Sequence, residues 1–156
     1  MAETATLKVG DEAPDFELPS SPTGEKFRLS DYRGKHAVVL NFMPAAFSPV
    51  CSNQLQLVEQ KVAEFAAQQA IPVAITVDGP WAQKAWKEQL GISYPVLSDF
   101  PKGEVSRKYG VLIEERGVSN RVVIVVGKDG RIAWIQPAPK IVEVPDYDPV
   151  LSCLKS

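Results

Sequence analysis

The sequence predicts an α/β fold: a mixed central sheet with helices on both faces and a hairpin on its N-terminal side. Three observations carry this. First, Ala37–Phe42 and residues 71–77 are short, continuous runs rich in β-branched residues, the pattern of strands buried on both faces. Second, each run is followed by a segment of helical periodicity, and alternating strand and helix implies parallel pairing. Third, residues 121–126 and 131–135 flank Gly127-Lys128-Asp129-Gly130, which reads as strand, tight turn and antiparallel strand.

Taken in order, residues 15–18 and 26–29 alternate polar with apolar side chains around a turn at 20–24, a hairpin expected to cover one edge of the domain. Residues 30–34 read as one helical turn closed by Gly34. Pro44 stops the strand Ala37–Phe42, and Ser48 followed by Pro49 reads as N-cap and first helical residue. In the helix that follows, Val50, Leu55, Val58, Val62, Phe65 and Ala66 define one long apolar face. Residues 81–90 form a further helix closed by Gly91, in which Trp81 and Trp86 serve packing or an interface. Residues 94–97 are a short extended piece, and Ser98 and Asp99 cap a helix over 102–109 that Gly110 ends. Residues 113–120 read as a polar loop. Beyond the second hairpin, four prolines between Pro137 and Pro149 mark an irregular connection into a short helix around 150–154.

A chain of 156 residues with no repeat and no linker reads as one domain, residues 1–156, long enough to bury most of its apolar surface. Hydrophobic residues at 45% and charged residues at 23% are ordinary for a globular protein, and no apolar run is long enough for a membrane span. A net charge of −2 without a basic cluster offers no footprint for nucleic acid. Residues 1–6 have neither a basic start nor an apolar core, so they do not read as a secretory signal, and the expected location is the cytoplasm. Two cysteines and one histidine are too few for a four-ligand zinc site, and no loop has calcium spacing, so neither metal nor cofactor is expected. His36, beside Lys35, reads as a solvated surface group.

The chemistry gathers where the strand Ala37–Phe42 gives way to the helix. Cys51 falls at the third helical position, among N–H groups that have no partner in the helix and at the positive end of its dipole. Such a place favours a sulfur anion, the nucleophilic form of cysteine. Ser48, one turn earlier, sets a hydroxyl near the sulfur or near an oxygen bound beside it. The pattern Pro44-x-x-x-Ser48-x-x-Cys51 resembles the active-site signature of the peroxiredoxins: proline, three residues, threonine or serine, two residues, cysteine. The resemblance extends through Val9-Gly10-Asp11-Glu12-Ala13-Pro14-Asp15-Phe16, Tyr94-Pro95-Val96-Leu97-Ser98-Asp99 and the strand led by Arg121, and the chain is similar to the one-cysteine, alkyl hydroperoxide reductase E-type branch.

That resemblance implies a thioredoxin-like fold with peroxiredoxin insertions and a thiol-dependent peroxidase with an antioxidant role. Hydrogen peroxide and organic hydroperoxides would be reduced through a Cys51 sulfenic acid. The backbone N–H groups of Val50 and Cys51, the Ser48 hydroxyl and the Arg121 guanidinium would stabilise the two oxygens as their bond breaks, while Pro44 shields the sulfur. Arg107 and Arg116 are the other candidates for this role. The implied partners are a peroxide, an external thiol or a thioredoxin- or glutaredoxin-like reductant, and a second copy in a homodimer. Two residues depart from the family pattern: Ser48 stands where threonine is usual, and Gln54 where many relatives have glutamate, which puts the usual charge network in doubt.

Three alternatives follow from the same residues. A dithiol oxidoreductase needs a second cysteine two residues away, and Cys51-Ser52-Asn53-Gln54 has none. A peroxide sensor or chaperone-type protein would oxidise Cys51 without sustained turnover. A two-cysteine peroxiredoxin would use Cys153 as its resolving thiol, against the plainer reading of Cys153 as a packing residue.

Overall fold

In the computed structural model, which describes residues 7–156, the chain runs through β1 (Glu17–Pro19), β2 (Lys26–Arg28), a 3-10 turn (Leu29–Tyr32), β3 (Ala37–Phe42), α1 (Pro49–Gln60) and α2 (Val62–Ala67). It continues through β4 (Ala70–Thr76), α3 (Pro80–Leu90), β5 (Val96–Ser98), α4 (Glu104–Lys108), β6 (Leu112–Ile113), β7 (Val118–Ser119), β8 (Val122–Val126), β9 (Ile132–Pro137) and α5 (Asp148–Lys155). The reading of residues 1–6 lies outside the described residues.

The central sheet has the order β5-β4-β3-β8-β9. β3 pairs in parallel with β4 and β4 with β5, as the strand–helix alternation requires, while β8 runs antiparallel to β3 and β9 antiparallel to β8. All six residues of β3 are buried, which is why its sequence lacks polar alternation. Pro72 is tolerated within β4 because β5 pairs with it only from Ala74 onward, leaving Pro72 with a neighbour on one side.

The pleat divides the core into two. Val38, Leu40, Phe42, Val73, Ile75 and Ile124 point to one face, where Leu18 and Phe27 of the hairpin, the flanking Phe16 and Leu29, and Val105 and Tyr109 of the α4 region cover them. Ala37, Val39, Met43, Ala74, Val123 and Val125 point to the other, packed beneath Leu55, Val58, Phe65, Trp86, Val150 and Leu151. The β1–β2 hairpin, expected at an edge, touches β5 but also spreads its apolar side chains over the first face.

Several other expectations change. The single long helix is two, because Lys61 leaves helical geometry (φ −104°, ψ 2°) between α1 and α2, and Ala66 is exposed rather than part of the apolar face. The polar loop at 113–120 contains the small β6–β7 ladder. His36 is half-buried, its ring edge-on to Tyr32 and its Nδ1 shielded without a hydrogen-bond partner. The helix expected over 102–109 starts at Glu104 behind a left-handed Gly103, and Asp99 caps it across that turn: its carboxylate accepts from the N–H groups of Val105 (3.1 Å) and Ser106 (2.8 Å). Asp99→Ala should therefore cost about 1 kcal/mol, the usual loss of a side-chain cap. Thermal unfolding should register this as a midpoint lowered by roughly 2–4 °C.

Candidate active site

Backbone geometry at the start of α1 follows from two residues. Ser48 is extended (φ −67°, ψ 147°), and Pro49 supplies a preset helical φ at the first position, so Cys51 is the third helical residue. Ser52 is the first residue whose N–H bonds back into the turn, to the Ser48 carbonyl at 2.9 Å, which leaves the N–H groups of Val50 and Cys51 for an anion or a bound oxygen. The Ser48 side chain does not cap the helix. Its hydroxyl donates to the Ala45 carbonyl at 3.0 Å and keeps its lone pairs free.

Cys51 has no exposed surface, and Arg121, just ahead of β8, is almost as deeply buried. Antiparallel pairing of β3 with β8 places Val122 opposite Phe42, so the residue before β8 arrives where β3 ends and α1 begins. There the Arg121 guanidinium uses three donors: Nη2 to Cys51 Sγ at 3.3 Å, Nη1 to Gln54 Oε1 at 2.7 Å and Nε to the Ile141 carbonyl at 2.7 Å. None of the ion pairs among the described residues involves Arg121. A thiolate at Cys51 would supply the negative charge that its other two acceptors lack.

Gln54, the departure that put the network in doubt, keeps the arginine in place through its carbonyl oxygen, and its Nε2 donates to the Tyr147 hydroxyl at 2.8 Å. Tyr147 in turn donates to Asn41 Oδ1, and Asn41 Nδ2 donates to the carbonyls of Val39 (3.2 Å) and Val73 (3.0 Å). Burial keeps the Tyr147 hydroxyl protonated, well above the usual range of a phenol. Sequence reasoning missed Asn41, Tyr147 and the Ile141 carbonyl. Asn41 did carry a signal, as the one amide in an apolar run that becomes a fully buried strand. Tyr147 lay in a proline-rich stretch that shows no periodicity.

With that geometry in view, residues 9–135 match the AhpC/TSA family. The chain belongs to this family. Its alkyl hydroperoxide reductase E member from Mycobacterium tuberculosis is 38% identical over 131 residues, covering 83% of this chain and 85% of that protein. The thiol peroxidase of Oceanobacillus iheyensis is 36% identical over 151 residues, covering 96% and 90%. Among solved structures, peroxidoxin BcpB from Mycobacterium tuberculosis superposes with a TM-score of 0.84 at 31% identity, covering 96% of this chain and 97% of that one. The fold is thioredoxin-like, and the resemblance to the alkyl hydroperoxide reductase E-type branch holds.

Within this AhpC/TSA domain the remaining candidates are dispersed. Pro44 is half-buried at the start of the β3–α1 loop, and Ala46 in the same loop is pinned by its N–H to Asp78 Oδ2 at 2.7 Å. Trp86 donates through Nε1 to Ser52 Oγ at 2.9 Å, so it buttresses the residue next to Cys51, whereas Trp81 is 71% exposed. Arg107 is tied to Glu114 at the surface, and Arg116 lies in the exposed β6–β7 turn, so neither reaches the sulfur. Cys153 sits on α5 against the Ala133 carbonyl (3.7 Å) and near Ala37, beside the opposite end of β3 from Cys51. The strand between them is about 17 Å long, against about 7 Å for disulfide-compatible Cα atoms. Partial burial also pushes the Cys153 thiol up, away from ionisation.

Proposed function

We propose that the chain is a thiol-dependent peroxidase with Cys51 as its nucleophile, and the observation that carries this is Arg121 Nη2 lying 3.3 Å from a sulfur in the first turn of α1. The thiolate attacks one peroxide oxygen; an S–O bond forms as the O–O bond breaks. The departing oxygen takes the bonding pair and a proton and leaves as water or an alcohol, and Cys51 becomes a sulfenic acid. Arg121 and the free N–H groups at 50 and 51 meet the charge that grows on the oxygens, so they bind the transition state better than the ground state. Ser48, whose proton is committed to Ala45, offers its hydroxyl lone pair to the O–H of the peroxide.

Since Cys51 is fully buried, the groups around it must part before peroxide reaches the sulfur. Phe47, four residues before Cys51, has φ 66°, a left-handed conformation that costs a non-glycine residue roughly 1–2 kcal/mol. The sulfenic acid is returned to thiol by an external thiol or by a thioredoxin- or glutaredoxin-like protein, since Cys153 stands at the other end of β3. Intact mass after one equivalent of peroxide tests the reading: a gain of one oxygen on Cys51, convertible to an adduct by a sulfenic-acid trap, is expected. No gain, or a gain confined to Cys153, ends it. Non-reducing peptide mapping of the same sample should find no Cys51–Cys153 linkage; its presence would make the enzyme a two-cysteine peroxidase.

A cytoplasmic homodimer completes the proposal. Phe47 (51% exposed), Trp81 (71%) and Phe100 (61%) follow β3, β4 and β5 in turn, and so stand at the Cys51 end of the sheet as apolar groups on the surface. Sedimentation should give twice the chain mass, reduced toward the monomer by Trp81→Glu; a monomer in the wild type would remove this part.

A further inference from the structure

The side chains behind Arg121 form a one-way sequence of hydrogen bonds. It begins at main-chain carbonyls: Val39 and Val73 accept from Asn41 Nδ2, which turns Asn41 Oδ1 toward the C-terminal segment. Tyr147 has one hydroxyl proton and gives it to that oxygen, so only lone pairs face Gln54. Gln54 must then present its NH2 to Tyr147 and, as a consequence, its oxygen to Arg121 Nη1. Asn41, Gln54, Tyr147 and Arg121 are all buried, so water cannot substitute for a lost partner. A glutamine reversed by half a turn would set its NH2 against the guanidinium, donor against donor.

We propose that Tyr147 is a positioning residue for peroxide reduction: by orienting the Gln54 amide it fixes the Arg121 guanidinium against Cys51. This makes the irregular C-terminal connection part of the reactive site, because the same segment supplies the Ile141 carbonyl to Arg121 Nε. It also explains how the chain works with a neutral residue at 54. A carboxylate accepts on both oxygens and needs no orientation, whereas an amide needs a partner that can only accept from it. Gln54 and Tyr147 therefore act as a pair, and a carboxylate at 54 would compete with Asn41 Oδ1 for the single Tyr147 proton.

The inference rests on the peroxidase reading above, and its test separates the two. Second-order rates for hydrogen peroxide and for alkylation by iodoacetamide are measured on the full chain for wild type, Tyr147→Phe, Gln54→Glu and the double variant, with thermal unfolding alongside. Tyr147→Phe keeps the ring that lies edge-on to Phe65 and removes only the hydroxyl. Its peroxide rate should fall about tenfold, more than its alkylation rate, and Gln54→Glu in that background should restore it to within about threefold of wild type. Gln54→Glu alone should be slower than the double variant, because the one Tyr147 proton cannot serve both Asn41 Oδ1 and the carboxylate, which leaves two acceptors facing each other. An unchanged rate in Tyr147→Phe, or equal slowing in Tyr147→Phe and the double variant, overturns the positioning role. Should Tyr147→Phe not fold, a rate in Gln54→Glu at or above wild type overturns it instead. A wild type that does not consume peroxide at all refutes the enzyme reading, a separate outcome.

Discussion

Cys51→Ser should reduce peroxide consumption to the uncatalysed background, a loss on the order of a thousandfold or more. The serine hydroxyl is smaller than the thiol but can still accept from Arg121, so the fold should survive, and the loss would be chemical rather than structural. Stopped-flow measurement of peroxide disappearance, with circular dichroism to verify folding, checks this. A variant that still reduces peroxide at the wild-type rate would transfer the chemistry to the other thiol, Cys153. That residue is half-buried with its proton held by burial, and among the described residues no arginine lines the cavity beside it, so such a result would overturn the proposed mechanism.

Arg121→Ala should slow the attack by roughly a hundredfold to a thousandfold, the loss expected when one donor to a developing oxyanion is removed. It should also destabilise the protein, since the Gln54 oxygen and the Ile141 carbonyl lose a buried donor. Each orphaned group costs about 1–3 kcal/mol, and the thermal midpoint should fall by several degrees. Arg121→Lys separates the two effects: an ammonium keeps the charge but cannot address a sulfur, an amide oxygen and a carbonyl from one planar fork. It should therefore recover stability better than rate. If Arg121→Ala leaves the rate intact, the guanidinium is structural, and neither Arg107, paired with Glu114, nor the exposed Arg116 is placed to replace it.

Short-range features of this chain were determined by its sequence. Ala37–Phe42 is a buried strand because it is a short run, apolar but for Asn41, with β-branched residues at Val38 and Val39, and Ser48-Pro49 starts a helix because proline's φ is already helical and its missing N–H is needed by no one. Those two facts place the sulfur, two residues beyond Pro49, among unpaired donors without reference to the rest of the molecule. The break at Lys61 and the β6–β7 ladder are not legible in the sequence, because the apolar spacing on either side of Lys61 is compatible with one helix, and two-residue strands have no period to read. Tertiary structure alone decided which partners lie around the sulfur. Arg121 reaches it by antiparallel pairing of β8 with β3, and Tyr147 reaches Gln54 because the C-terminal connection folds back over α1. It also decided that Cys153 stays apart. The physical reason is the same in each case: a helix start or a buried strand is written in local sterics and hydrophobicity, whereas a directed hydrogen bond between residues 93 apart, as between Gln54 and Tyr147, exists only once the sheet has set its register and excluded water.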